Sequence, residues 1–224
     1  NSVALERAGI DADTPDPADG RIERDADGRP TGTLHAGAMR LVTRRLPRTR
    51  DAEYYAALLE GQRYLHSLGV TGWQDAIVGA YAGMDDISPV YLRAAARGSL
   101  TAHVVGALWW DRTRGVEQIN ELRRRRDELT EGRFRATSVK VMQDGGIENR
   151  TASLLEPYLD DAGAPTQDRG ISFLTAAGLT AAVAALTAVD FQVHVHAVGD
   201  RAIRESLDAF EALGPGGAAA GRHH

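Results

Sequence analysis

The chain has 224 residues, with 26 Lys and Arg against 31 Asp and Glu for a formal net charge of −5, 43% hydrophobic and 25% charged residues, and no cysteine. That balance suits a soluble globular α/β chain with one large packed domain, excludes disulfides and thiolate ligands, and argues against nucleic acid as a main partner, since a phosphate-binding surface would be basic. No run approaches the ~20 apolar residues of a membrane span, so no membrane partner is expected either.

Residues 1–50 contain Pro15, Pro17, Pro30 and Pro47 and several Asp-Gly or Gly-rich turns, which predicts an irregular insertion segment with at most a short helix. A helix is predicted over 51–67, with Asp51 and Glu53 in its first turn, Leu58 and Leu65 inward and Gly69 as its stop. The next strand, 70–74, ends in Asp75. A helix over 87–97 leads to Gly98, and a Val- and Trp-rich strand over 100–110 closes on Trp109 and Trp110. Over 114–131, Val116, Ile119, Leu122 and Leu129 form a helical stripe, and the run Arg123 to Arg126 fills its solvated side. A buried strand around Val139 and Val141 then carries Lys140 and ends at Gln143, Asp144 and Gly145. Residues 144–172 read as irregular, 175–189 as an alanine-rich helix, and 201–213 as a last helix. Four strands alternating with helices are the signature of a parallel sheet, here over 51–224.

The stretch FQVHVHAVGD, residues 191–200, concentrates the chemistry. It ends an alternating strand in two imidazoles and passes directly into a helix, and such strand ends are where parallel α/β proteins build active sites. Side chains alternate along a strand, so His194 and His196 share one face, with His196 nearer the mouth and His194 one layer deeper. Three readings fit this spacing: metal ligation, a hydrogen-bonded core pair, or a general acid with its orienting neighbour. Lys140 inside a buried strand is costly unless paired or chemically altered; it either snorkels to a strand end, pairs with a carboxylate such as Asp144, or belongs to a site.

Four segments together carry a family resemblance: residues 1–39, LGVTGWQDA at 68–76, VKVMQDGGIENRTASLLEPYLD, and HVHAVGDRAIRESLDAFE. In them the chain resembles the metal-dependent amidohydrolases, specifically the family-3 branch of YtcJ-like proteins and N-substituted formamide deformylases. The resemblance implies a (β/α)8 TIM barrel, of which this chain would supply about four parallel strands, the second to the fifth. It also implies one or two divalent metals, zinc foremost, and metal-activated water that hydrolyses a non-peptide C–N or amide-type bond in a small-molecule amide-like substrate. By motif, Lys140, as a carboxylated lysine, matches the fourth-strand ligand and His196 the fifth-strand ligand, with His194 beside them. A first-strand His-x-His pair and the eighth-strand aspartate that serves as general base have no counterpart here. The chain is accordingly expected to be an internal piece of a longer enzyme, cytoplasmic in location, with metal bound weakly or not at all in this piece.

Other candidates have two readings each. Asp75 and Asp144 follow strands, where mouth residues lie, and aspartate also starts turns and helices there. Trp109 or Trp110 could wall a substrate pocket, with the other in the core. Glu148 and Arg150 suit substrate contact or loop packing, and Asp200 suits a helix cap. Two other functions remain open: a catalytically incompetent folded piece or interaction module without metal, and a metal-free α/β small-molecule-binding protein. With only four strands the sheet should end in open edges, which predicts either self-association as a homo-oligomer or residues 1–50 folded over the exposed face.

Overall fold

The computed structural model describes residues 1–17, 20–81 and 84–224, with only the backbone of Ala219. They form two units, one of residues 1–53 and 80–86, the other of residues 54–79 and 87–224.

In the first unit, Asn1 accepts the Ala4 N–H at 3.0 Å and so caps α1 (Ser2–Ala8), which Gly9 ends in the left-handed region at φ 69. An antiparallel hairpin follows, β1 (Gly20–Arg24) against β2 (Pro30–Ala36), with Ile22 opposite Leu34. Asp25 closes its turn by accepting the N–H groups of Asp27 and Arg29. A 3-10 turn (Gly37–Met39) and α2 (Arg40–Thr43) complete the unit around Leu5, Ala8, Ile10, Ile22 and Ala38. The segment expected to be irregular is therefore ordered. Its strands escape a periodicity reading because only Ile22 is fully buried in β1, and Pro30 stands at the first residue of β2, a position that requires no ladder N–H.

The second unit runs α3 (Asp51–Ser67), β3 (Gly72–Val78), α4 (Ser88–Ala96), β4 (His103–Trp109), a 3-10 turn (Val116–Gln118), α5 (Ile119–Glu128), β5 (Thr130–Glu131), β6 (Phe134–Met142), α6 (Ala176–Thr187), β7 (Gln192–His196), α7 (Asp200–Glu211) and α8 (Gly214–Gly221). Strands β3, β4, β6 and β7 are parallel neighbours in that order, and β5 pairs antiparallel with the start of β6. The sheet is thus mixed and mostly parallel, with β5 an addition to the four strands expected. β3 also extends past Asp75 to Val78, because Ala76, Ile77 and Val78 continue an apolar strand where 70–74 had been predicted.

One face of this sheet packs on helices. Val104, Leu108, Phe134, Val139, Val141 and Val193 share a core with Leu122 of α5 and with Leu179, Val183 and Leu186 of α6. The α6 contacts fall at i, i+4 and i+7, a single stripe. Tyr91 of α4 stacks on Phe134 at 4.7 Å between centroids. Thr175 caps α6 by accepting the Gly178 N–H at 3.1 Å. Thr175→Ala is expected to lower stability by about 1 kcal/mol, measured as a shift in the urea midpoint; an unchanged midpoint would show the cap to be dispensable.

Candidate metal centre

Sheet register places the candidate residues. Trp109 lies opposite Lys140, Lys140 opposite His194, and Met142 opposite His196. Directly opposed residues share a face, so Trp109, Lys140, His194 and His196 all lie away from the helix-packed face that takes Val139, Val141 and Val193. His196 stands at the C-terminal end of β7 with a third of its side chain exposed, and His194 sits one layer deeper, as the alternation required.

Hydrogen-bond accounting fixes the protons on this face. His224 Nε2 donates to Gln74 Oε1 at 3.0 Å, which orients the Gln74 amide and leaves its Nε2 to donate to Ser138 Oγ at 3.2 Å and, at a long 3.4 Å, to His194 Nδ1. Ser138 Oγ is free to accept because its own proton goes to the Gln192 carbonyl. With Nδ1 accepting, a neutral His194 carries its proton on Nε2, 3.2 Å from Lys140 Nζ. Nζ then either donates to a His194 ring protonated on Nδ1 or, in the tautomer that the Gln74 contact favours, accepts as a neutral amine. Burial favours the same state: Lys140 is 6% exposed, no carboxylate pairs with Nζ among the described residues, and desolvation holds its pKa below the usual lysine value.

Burial, and after it the positive charge that Lys140, His224 and His196 carry when protonated, push the His194 pKa down from 6.5 to about 4. A depressed histidine destabilises the fold only where the unfolded chain takes up a proton that the folded one resists. Stability should therefore fall as pH drops from 6.5 to about 4, by roughly 1–2 kcal/mol once solvent screening of this half-buried ring is allowed for. Denaturation across that window should show a slope that His194→Gln removes; an unchanged slope in the variant would refute the assignment.

His196 has a different partner. Its Nε2 lies 3.0 Å from the Gly145 carbonyl, which can only accept, so Nε2 carries the proton and Nδ1 keeps a lone pair. The Asp144 carboxylate is 3.9 Å away, too far for a hydrogen bond. Asp144 is instead fully buried and accepts three backbone N–H groups, from Val198 at 3.0 Å, Gly199 at 2.8 Å and Ser153 at 2.9 Å. It clamps the loop after β6 to the start of α7. A side chain on Gly199 would collide with the Ser153 carbonyl, which accepts the Arg201 and Ala202 N–H groups. That close approach is the reason for glycine in HAVGD.

Several sequence expectations need correction. Asp75 is inside β3, and its carboxylate accepts from the Tyr91 hydroxyl at 2.8 Å on the helix side, the face opposite Gln74 and Lys140; it takes no part in this site. Lys140 neither snorkels nor pairs with Asp144. Trp110, 3% exposed, belongs to the core, leaving Trp109 on the Lys140 face. Asp200 is the first residue of α7 and accepts from Leu155 as well as Arg201, so the caps of that helix are Gly199 and the Ser153 carbonyl. Glu148 and Arg150 are exposed on the loop after β6, where Arg150 adopts φ 56 and donates to the Leu159 carbonyl at 3.4 Å.

Sequence reasoning missed Gln74, Ser138 and His224. His224 extends the sheet beyond β7, exchanging main-chain bonds with Val193 and Val195 at 3.0 and 2.7 Å, and its ring lies 4.5 Å from that of His194. Gln74 and His224 are 150 residues apart, and no local pattern marks either. A separate cleft of about 260 Å³, lined by Asp190, Gln192 and Arg222 among others, opens at the N-terminal end of β7, away from His196.

The donors present suit part of a metal site. A neutral amine at Lys140 is the form that combines with carbon dioxide, and the resulting carbamate would turn a buried amine into an anionic oxygen donor; His196 offers Nδ1. Among the described residues no group of three or more His, Asp or Glu side chains is arranged to hold an ion, so these two would be an incomplete ligand set.

The whole chain, residues 1–224, matches the model of the amidohydrolase family. It is 32% identical over 226 residues to the exoenzymes regulatory protein AepA of Pectobacterium carotovorum, covering 95% of this chain and 44% of that protein. It is 39% identical over 105 residues to the N-substituted formamide deformylase of Arthrobacter pascens, covering 45% of this chain and 18% of that one. A crystal structure of an uncharacterized metal-dependent hydrolase from Pyrococcus furiosus superposes with a TM-score of 0.61 at 24% identity, over 95% of this chain and 40% of that chain. The chain thus spans less than half the length of each. With a family match along its full length, and with the lysine and histidine strands side by side, this chain belongs to the amidohydrolase family.

Proposed function

We propose that this chain is part of a metal-dependent hydrolase that cleaves a non-peptide C–N bond in a small amide-like substrate, with Lys140, carbamylated, and His196 as two of the ligands. Its parallel strands would then belong to a (β/α)8 barrel with the site at their C-terminal ends. The observation that carries this reading is the buried Lys140 amine, which desolvation pushes toward its neutral form, on the same sheet face as His196, one strand away. A bound divalent ion, zinc foremost by the hardness of a carbamate–imidazole set, would supply a Lewis acid and a water of lowered pKa. Lys140 contributes negative charge after carbamylation, His196 a lone pair oriented by Gly145, and Trp109 an apolar wall beside them. Protonation of the departing nitrogen needs an acid that these residues do not provide.

The test is amine release from a panel of N-substituted formamides and other small amides by the longer protein of which this chain is proposed to be part, supplied with zinc and bicarbonate, beside ordinary dipeptides. Metal-dependent release from the small amides is expected; cleavage of dipeptides alone would overturn the bond class. A second reading is an interaction module without metal. It predicts no release from any substrate.

A further inference from the structure

A buried polar cluster outside the Lys140 face centres on Glu205 of α7, which is 9% exposed. Its Oε1 accepts from Arg201 Nε at 2.9 Å, and its Oε2 accepts from Gln143 Nε2 at 2.6 Å and from the Ser172 hydroxyl at 2.9 Å. Gln143 is the residue that follows β6, and it is fully buried. Its amide also donates to the Leu174 carbonyl at 2.9 Å, its backbone N–H donates to the His196 carbonyl at 3.0 Å, and its own carbonyl accepts from Phe173 at 2.7 Å. Four segments therefore meet at one residue, through its backbone and side chain: the ends of β6 and β7, residues 172–174, and α7.

Two features show that Gln143 is held in place rather than merely accommodated. Its Nε2 faces two acceptors, so its amide cannot be turned around without setting oxygen against oxygen. Its Oε1 is buried with no partner, which ordinarily costs about 1–3 kcal/mol. A carboxylate at Glu205, a stronger acceptor than a neutral group, offsets that penalty. Downstream of Gln143 the chain passes through Asp144, clamped by three N–H groups, to Gly145, whose carbonyl orients the His196 ring.

We propose that Glu205 is a positioning residue: acting through Gln143, its carboxylate fixes the turn that ends β6 and so sets the ring orientation and tautomer of His196. The link to metal rests on the function proposed above; the positioning itself does not. The decisive readout is therefore the His196 imidazole in the full chain, followed by 15N spectra of histidine-labelled protein without metal. The wild type should show a single tautomer protonated on Nε2. Glu205→Ala should give mixed His196 tautomers while secondary structure persists. Glu205→Gln, which keeps an acceptor for Gln143 and Ser172, should restore the wild-type pattern. Gln143→Met keeps the bulk but cuts the link to Glu205, so it should reproduce the alanine result, and it decides the matter should Glu205→Ala fail to fold. A wild-type His196 spectrum in folded Glu205→Ala or in Gln143→Met would overturn the proposal. A separate zinc titration should show about 10-fold weaker binding for Glu205→Ala. That titration is made on the longer protein of which this chain is proposed to be part, and absence of zinc binding there would sink the metal reading and leave the tautomer test standing.

Discussion

Replacing Asp144 with alanine is expected to remove about 3–6 kcal/mol of stability, enough to bring a typical domain close to unfolding. The substitution leaves the buried N–H groups of Ser153 and Gly199, each worth about 1–3 kcal/mol when orphaned, and the part-buried one of Val198, worth less, without an acceptor. Water cannot readily replace the carboxylate where the side chain is fully enclosed. Asp144→Asn keeps one oxygen and should cost about half as much, since its amide nitrogen would face a donor. Urea denaturation of the two variants measures both values. A loss below 1 kcal/mol for the alanine variant would mean that the loop after β6 relaxes onto other acceptors, and that Asp144 stands at this strand end for chemistry rather than architecture.

The contrast between Asp144 and Lys140 shows what a sequence can convey about a site. Alternation in VHVH was enough to place His194 and His196 on one face, because a strand leaves its residues only two directions in which to point. That Lys140 would meet His196 from a neighbouring strand followed from the family resemblance, which assigns both to ligand positions of one site. The aspartates were harder: Asp75 and Asp144 both sit near strand ends in the sequence, yet one accepts from Tyr91 on the helix side and the other ties backbone amides from two distant segments. Which way an aspartate turns is decided by where the strand stops, and β3 continues to Val78, beyond the point that propensity marks. The hairpin in residues 20–36 was hidden for the reverse reason, since a small core demands few apolar residues and leaves little periodicity. Gln74, His224 and Glu205 acquire meaning only from contacts across 62 to 150 residues, to which local pattern is blind.

Lys140→Met should separate the two consequences of burying an amine on this face. The first concerns metal. Carbamylation joins the neutral amine to carbon dioxide and releases a proton, so zinc uptake by the wild type should increase with added bicarbonate and with pH. The methionine variant, having no nitrogen to carbamylate, should lose that dependence altogether, with zinc affinity down more than about 100-fold as a ligand is removed outright rather than mispositioned. The second consequence needs no metal. Because burial lowers the Lys140 pKa, the folded chain resists a proton that the unfolded chain accepts up to about 10.5. Wild-type stability should therefore rise with pH from the lowered value toward 10.5, and the slope should vanish in Lys140→Met, which places an apolar chain of similar length where the amine was. At neutral pH the variant should be at least as stable as the wild type. Should it prove less stable by more than about 2 kcal/mol, Lys140 would have to be a charged group with a partner, and the neutral amine, the carbamate and the metal reading would fall together.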